Sequence, residues 1–290
     1  MMTQRSLGLI PRYEADSSWW QHVPVAHLLV DIIKPKIIVE LGTHYGVSLF
    51  SFCEAAERFS QDTYIYAVDT WEGDVQAGYY QSEVYEYVRA HADKYHRQRC
   101  ALLRCIFDEA ANYFEEETID ILHIDGLHTY DAVKNDFERW STKVREKGSI
   151  VFHDCNERKE GFGVWKLWDE IKKNEKYQCI ELPNGHGLGI ATLSTCQPSW
   201  HEIIYENMDI LKCKGLLLEN ISKLKRDTQV SSSEMKELKK HIHNLKKMNI
   251  DKEKQIAQAE INILRLQDEK NMGYLKRIIK IVARLMKITK

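Results

Sequence analysis

The chain of 290 residues is 43% hydrophobic and 29% charged, with 5 Pro and 14 Gly, an ordinary globular composition that excludes wholesale disorder, a collagen repeat and a disulfide-stapled miniature fold. Its net charge of −2 conceals a split: residues 1–200 hold 21 Lys+Arg against 31 Asp+Glu, and residues 201–290 hold 20 against 12. No apolar run approaches the roughly 20 residues that span a bilayer, the first residues carry no basic-then-apolar leader pattern, and seven cysteines without motif spacing predict reduced thiols and a cytoplasmic location.

All five prolines and all seven tryptophans lie at or before Trp200. An acidic body, residues 1–200, is therefore expected to join a proline-free, lysine-rich tail. In chain order, residues 36–42 (KIIVELG) form a β-branched run that ends in glycine, and residues 47–59 follow with helical spacing. Residues 63–69 (TYIYAVD) predict a second strand and 101–105 a short third. Residues 119–125 (IDILHID) and 149–154 (SIVFHD) predict the fourth and fifth, with helices over 130–141 and 163–173. Residues 178–182 and 188–193 flank Pro183-Asn184-Gly185-His186-Gly187 and read as a closing hairpin. Near-continuous apolar strands separated by helices predict an α/β fold with a parallel sheet covered on both faces.

In such sheets ligands bind beyond the carboxyl ends of the strands. Four of the five strands end in or beside an acid, at Glu40, Asp69, Asp125 and Asp154. A buried strand has no structural use for a terminal acid, so this set marks a site. Between the first strand and its helix, Gly42 and Gly46 suit a sharp turn and a close approach. The spacing is neither G-x-G-x-x-G nor a triphosphate-cradling loop. Asp69 is placed to accept both hydroxyls of a ribose.

E-L-G-T-x-x-G-x-S at 40–48, V-D-T-W at 68–71, I-D-x-L-H-I-D-G-x-H-x-Y at 119–130 and G-x-I-x-x-H-D at 148–154 resemble the class I S-adenosylmethionine-dependent methyltransferases. Within them the match is to small-molecule and sugar O-methyltransferases of antibiotic and surface-polysaccharide pathways, over about residues 22–194. The resemblance implies a Rossmann-like seven-stranded sheet whose last strand is antiparallel. It implies that the loop with Glu40, Gly42, Thr43, Gly46 and Ser48 holds the methionine moiety, that Asp69 holds the ribose, and that Asp125 also borders the cofactor. His44 departs from the glycine that many relatives have.

Methyl transfer to a hydroxyl needs the oxygen stripped of its proton, by a base or with help from a metal. Two carboxylates and an amide oxygen suit Mg²⁺. The resemblance places such ligands at Asp125 and Asp154, with Asn156 nearby, and His153 stands where some relatives carry a second acid. His128 reads as either the general base or a loop histidine bonded to Asp125. His123 reads as a satisfied core histidine, His186 as a turn residue and Cys155 as packing. Trp19, Trp20 and Trp71 either stack on a ligand or cover the sheet. The tyrosine-rich stretch 71–99 reads as a lid or as an ordinary packed helix.

After a connector at 201–216, a heptad register runs over 217–270. Ile221, Thr228, Met235, Ile242, Asn249, Ile256 and Ile263 stand at a; Leu217, Leu224, Ser231, Leu238, Leu245, Lys252, Ala259 and Leu266 stand at d. Such a seam predicts a coiled-coil dimer or trimer. Residues 274–290 carry six basic and no acidic residues with apolar positions on one helical face. That predicts a peripheral helix on an anionic membrane surface, on the inner face, rather than nucleic-acid binding. The layout resembles the chain-terminating methyltransferases of bacterial surface polysaccharides. A glycan O-methyltransferase is thus the leading expectation. The alternatives are a non-catalytic coiled-coil scaffold with a methyltransferase-like head and an NAD-dependent oxidoreductase.

Overall fold

The computed structural model describes residues 2–195 and 200–228. Helix α1 (Met2–Leu7) and a 3₁₀ turn with Trp19 and Trp20 precede α2 (Val23–Ile33), which has Pro24 in its first turn and stops at left-handed Lys34 before Pro35. The alternation then begins with β1 (Ile37–Leu41), α3 (Val47–Phe59) and β2 (Tyr64–Asp69). A short hairpin, β3 (Gly73–Asp74) and β4 (Gly78–Tyr79), leads into α4 (Ser82–His91), which passes through a π turn (Ala92–His96) to β5 (Cys100–Arg104). Next come α5 (Phe107–Ala110), β6 (Ile119–Ile124), α6 (Tyr130–Trp140), β7 (Val144–His153) and α7 (Val164–Lys173), then the hairpin of β8 (Tyr177–Leu182) and β9 (Leu188–Leu193), and α8 (Trp200–Thr228).

Among the described residues the main sheet has seven strands in the order β5-β2-β1-β6-β7-β9-β8. All neighbours are parallel except those of β9, which runs antiparallel to both β7 and β8. The strand residues alternate between two cores. Ile38, Ile65 and Ile121 face α2, α3, Trp19, Trp20 and Trp71, while Val39, Leu41 and Leu122 face Val133 of α6 and Leu167, Trp168 and Ile171 of α7. Cover on both sides is why β6 is buried along its whole length. The three tryptophans at 19, 20 and 71 thus belong to the core, and the six described cysteines are free thiols.

The predicted boundary at Trp200 differs from the structure. Residues 201–216 are helical, and Ile204, Leu211 and Leu218 lie buried in the same core as α2 and α3. Lys214 donates its ammonium to the carbonyls of Leu7 and Leu9. The compact unit accordingly runs to Glu219, and Asn220–Lys290 forms a second unit. The basic, proline-free composition hid this, because a helix can put its charged residues outward and still pack an apolar stripe. Most of the heptads and the basic segment 274–290 lie outside the described residues. Among the described residues, no helix is long and apolar enough to cross a membrane.

Candidate functional site

The chain order reverses direction across the sheet between β1 and β6, and a cleft of about 590 Å³ opens beyond the carboxyl ends of these strands. Its back wall forms where the turn after β1 crosses the end of β6. Gly42 has φ +86°, and a Cβ there would stand 2.0 Å from the Asp125 carbonyl oxygen, so only glycine lets the two segments meet. Hydrogen bonds from Gly42 N to the Val68 carbonyl (2.9 Å) and from Asp125 N to the Leu41 carbonyl (2.8 Å) carry the ladder past the strand ends.

Asp69 holds this turn shut. Its Oδ2 accepts from the amides of Thr43 (2.8 Å) and His44 (2.9 Å), and its Oδ1 from the amide of Trp71 (2.7 Å). A carboxylate oxygen accepts about two hydrogen bonds, so one position remains, on Oδ1. That position lies where the resemblance puts the ribose.

Gly42, Thr43, Ser48, Asp69, Asp125, His128 and Asp154 all line the cleft. Glu40 does not. Its carboxylate is fully buried, accepting from His123 Nδ1 at 3.1 Å, while His123 Nε2 accepts from the Trp19 indole at 3.2 Å. Burial raises the Glu40 pKa against the opposing bonds from His123 and Ser48. Glu40 therefore stands behind the cleft lining, as a partner of His123. Gly46 also lies off the cleft wall; its left-handed φ of +80° starts α3. Asn156 is likewise misplaced as a metal ligand, because its amide group points to the Pro183 carbonyl (3.5 Å).

At the cleft floor two carboxylates and two imidazoles interleave. Asp154, held at φ +59°, sets its Oδ2 2.8 Å from His128 Nε2 and 3.2 Å from His153 Nδ1. Asp125 Oδ1 stands 3.5 Å from His128 Nε2 and 3.3 Å from His153 Nδ1. Burial opposes the imidazolium charge, but the two carboxylates outweigh it and hold His128 up at about 9 and His153 up at about 10. Burial likewise opposes the carboxylate charge, and the histidines outweigh it to hold Asp125 and Asp154 well below the usual range. His22, stacked edge-on against His153 at 5.2 Å, is driven down to about 3 by burial and by that neighbour.

The far side of His128 is fixed by a residue the sequence reading passed over. Gln76 Oε1 accepts from both the backbone amide (2.8 Å) and the Nδ1 of His128 (3.0 Å), and Gln76 Nε2 donates to the Gly161 carbonyl (3.1 Å). The backbone donor fixes which way the Gln76 amide points, so His128 carries a proton on Nδ1 and aims Nε2 at the carboxylates. Phe162 stacks on the ring at 4.8 Å and 13°. Gln76 sits in the tip between β3 and β4, where Asp74 Oδ1 accepts from the amides of Gln76 (2.6 Å) and Ala77 (2.8 Å). Of the stretch 71–99, for which a lid and a packed helix both stand open, Gly73, Asp74, Gln76, Ala77 and Tyr80 supply cleft wall, and Ser82–His91 form the packed helix α4. His186 also reaches the cleft, bonded through Nδ1 to Glu157 at 2.8 Å.

The residues present fit an adenosyl sulfonium cofactor. Gly42 clears the backbone, the buried Thr43 hydroxyl oxygen has no partner among the described residues, Asp69 keeps one acceptor position, and Ile106 and Phe107 supply an apolar flank. They also fit a cation, since the ligating atoms of Asp125, His128 and Asp154 lie within 4.8 Å of one another. Only the two carboxylates of that set are the oxygen ligands that Mg²⁺ prefers; its third atom is the His128 imidazole nitrogen, and Asn156 is not among them.

Residues 39–155 match the family described as a methyltransferase domain. The seven-stranded order with an antiparallel last strand, β9, is the arrangement that the resemblance to class I S-adenosylmethionine-dependent methyltransferases implies. The chain is 43% identical over 178 residues to the uncharacterized protein y4gI of Sinorhizobium fredii, a match over 61% of this chain and 19% of that protein. The chain therefore spans about a fifth of the length of that relative. Among solved structures it is similar to a methyltransferase from Geobacter sulfurreducens, 17% identical over 62% of this chain and 82% of that one with a TM-score of 0.46. It is also similar to an O-methyltransferase from Bacillus cereus in complex with SAH, 15% identical over 67% of this chain and 90% of that one with a TM-score of 0.47.

Proposed function

We propose that the chain transfers a methyl group from S-adenosylmethionine to a hydroxyl oxygen of a sugar-containing acceptor, in the building or capping of a surface glycan. The observation that carries the oxygen chemistry is the convergence of Asp125, His128 and Asp154 on the cleft floor with His128 Nδ1 tied to Gln76. The polar and aromatic wall from Gly73 to Tyr80 and the Glu157–His186 pair at the mouth suit a hydroxyl-rich acceptor.

In this reading Thr43, Asp69 and the turn at Gly42 orient the cofactor, which supplies an electrophilic methyl group. His128 Nε2 takes the acceptor proton, while Gln76 retains the proton on Nδ1 and keeps the ring aimed. Asp125 and Asp154 would hold a divalent ion such as Mg²⁺, which supplies positive charge that lowers the proton affinity of the acceptor hydroxyl and relaxes the carboxylates' hold on His128. His153, buried behind both acids, keeps them in place.

The same proposal takes the heptads of 217–270 to join two or three copies, and the six basic residues of 274–290 to bring them to an anionic membrane face. The test is turnover of S-adenosylmethionine against a panel of oligosaccharide and sugar-nucleotide acceptors, with and without chelator. Methyl ether formation that falls on Mg²⁺ removal is the expected result. Product methylated only on nitrogen or sulfur would overturn the reading.

A further inference from the structure

Further along α3 from the turn at Gly42, a second cluster of imidazoles and a carboxylate lies inside the fold. Glu54 projects from the third turn of α3, His91 ends α4, and His96 ends the π turn. Residues five apart on an ordinary α-helix point about 140° away from each other. Here the wider π turn brings the two rings to 5.5 Å between centroids.

Three of their four ring nitrogens are buried without a partner among the described residues. His91 Nε2 and both nitrogens of His96 are buried with no hydrogen-bond partner among the described residues, and His96 is 1% exposed. Leaving a buried polar group unpaired costs about 1–3 kcal/mol. This protein does satisfy a buried histidine by a carboxylate elsewhere, at His123 and Glu40. Glu54 is used otherwise. Its oxygens accept from the amides of Arg12 (2.9 Å to Oε2) and Tyr13 (3.1 Å to Oε1), which fixes the carboxylate without capping either ring. One ligating atom each from Glu54, His91 and His96 lies within 4.8 Å of the others.

We propose that Glu54, His91 and His96 bind a divalent transition-metal ion, with Zn²⁺ the best fit, at a structural site separate from the cleft. Two neutral imidazoles and a carboxylate are a zinc donor set. Burial, with the charge of Arg12 beside Glu54 adding to it, drives both histidines down to about 4, so their lone pairs are free near neutrality. The amides of Arg12 and Tyr13 hold the carboxylate from behind, as outer-shell groups do at metal sites. Phe50 stacks on His96 at 5.6 Å and Tyr13 meets His91 edge-on at 4.5 Å, giving the site an apolar wall. Ligand atoms around a tetrahedral ion with bonds of about 2.1 Å stand about 3.4 Å apart. Binding therefore draws the rings inward, and it ties the N-terminal segment, α3 and α4 to one point.

The experiment uses the full chain carrying Asp125→Asn and Asp154→Asn, so that the cleft acids do not contribute. After stripping with chelator, exposure to Zn²⁺ and dialysis, metal analysis should find on the order of one zinc per chain, and the melting temperature should rise on loading. Co²⁺ in its place should give the visible absorption of a tetrahedral N/O site. Adding His91→Gln and His96→Gln should abolish the retained zinc, the Co²⁺ spectrum and the thermal shift, with near-ultraviolet circular dichroism reporting a retained fold. If that protein does not fold, Glu54→Gln serves in its place, with an expected loss of zinc affinity of at least about tenfold. Absence of retained zinc before the histidine changes, or its persistence after the ligands are replaced, would overturn the proposal.

Discussion

Two clusters in this molecule contain the same side-chain types in opposite electrostatic states. At the cleft floor two carboxylates face two imidazoles, and His128 and His153 are held up at about 9 and 10. Along α3 one carboxylate, already held by two backbone amides and with the Arg12 guanidinium 3.8 Å away, faces His91 and His96, and burial, with the Arg12 charge adding to it, takes both down to about 4. Burial disfavours charge in both places. What differs is whether enough unengaged carboxylate oxygen faces the rings to outweigh it. A histidine's neighbours, not its depth alone, decide whether it is a cation or a lone-pair donor.

The largest expected effect separates chemistry from cofactor binding at the first cluster. Asp154→Asn should lower turnover by roughly 10²–10⁴-fold, with S-adenosylhomocysteine affinity by calorimetry little changed. An affinity loss as large as the turnover loss would assign Asp154 to the cofactor instead. Next in size is Gln76→Ala, which frees His128 Nδ1 and should cut kcat by about tenfold or more with KM little moved. Gln76→Glu keeps an acceptor on both His128 donors but adds a third carboxylate beside the ring, so it should move the rise of the pH–rate profile to higher pH; an unmoved profile would make Gln76 a packing residue.

Asp69→Ala should reduce cofactor affinity and also destabilise the fold, on the order of 1–3 kcal/mol, since three backbone amides lose their acceptor. An unchanged melting temperature would show that the turn at Gly42 does not depend on this carboxylate.

The smallest effects are in pH, and they sharpen the contrast directly. In metal-free protein, His128 and His153 bind protons more tightly folded than unfolded. Their stabilisation is full below about 6.5 and is lost as pH rises through about 9 to 10. His91 and His96 bind protons less tightly folded, so stability falls as pH drops from about 6.5 towards 4. Buried Asp136, raised to about 7 by burial and by Asp108, runs the other way and loses stability as pH rises from about 4 to 7. Difference curves remove that overlap. Stability of wild type minus His153→Gln should decline on the alkaline side, and that of wild type minus His96→Gln on the acid side. Asp136→Asn should gain stability above pH 7. Parallel difference curves for the two histidine variants would erase the distinction between the clusters.

Much of this was legible in the chain. The strands at 119–124 and 188–193, and the helix at 47–59, are written in β-branched runs and helical spacing, and the acids at strand ends mark the cleft. The failures share a cause. Glu40 and Asn156 sit beside true cleft residues in sequence, but strand alternation turns Glu40 towards His123 and the backbone turn after Asp154 turns Asn156 towards Pro183. Gln76 was invisible because its role depends on a hairpin of two-residue strands carrying a loop residue to a histidine 52 positions away. The Glu54 cluster was invisible because a π turn is not encoded in any apolar period. An apolar stripe on a basic helix carried the body past Trp200.

The contact between Gly42 and the carbonyl of Asp125 has a consequence for anyone who would redesign this domain. With 2.0 Å between an added Cβ and that oxygen, the turn after β1 and the strand end bearing Asp125 are two sides of one wall. A library that varies residue 42 to alter cofactor choice would shift Asp125 in every member, and selection would read damaged chemistry as lost recognition. Diversity placed at His44 or Ile106, on the cleft side of that wall, can vary recognition while leaving the wall itself intact.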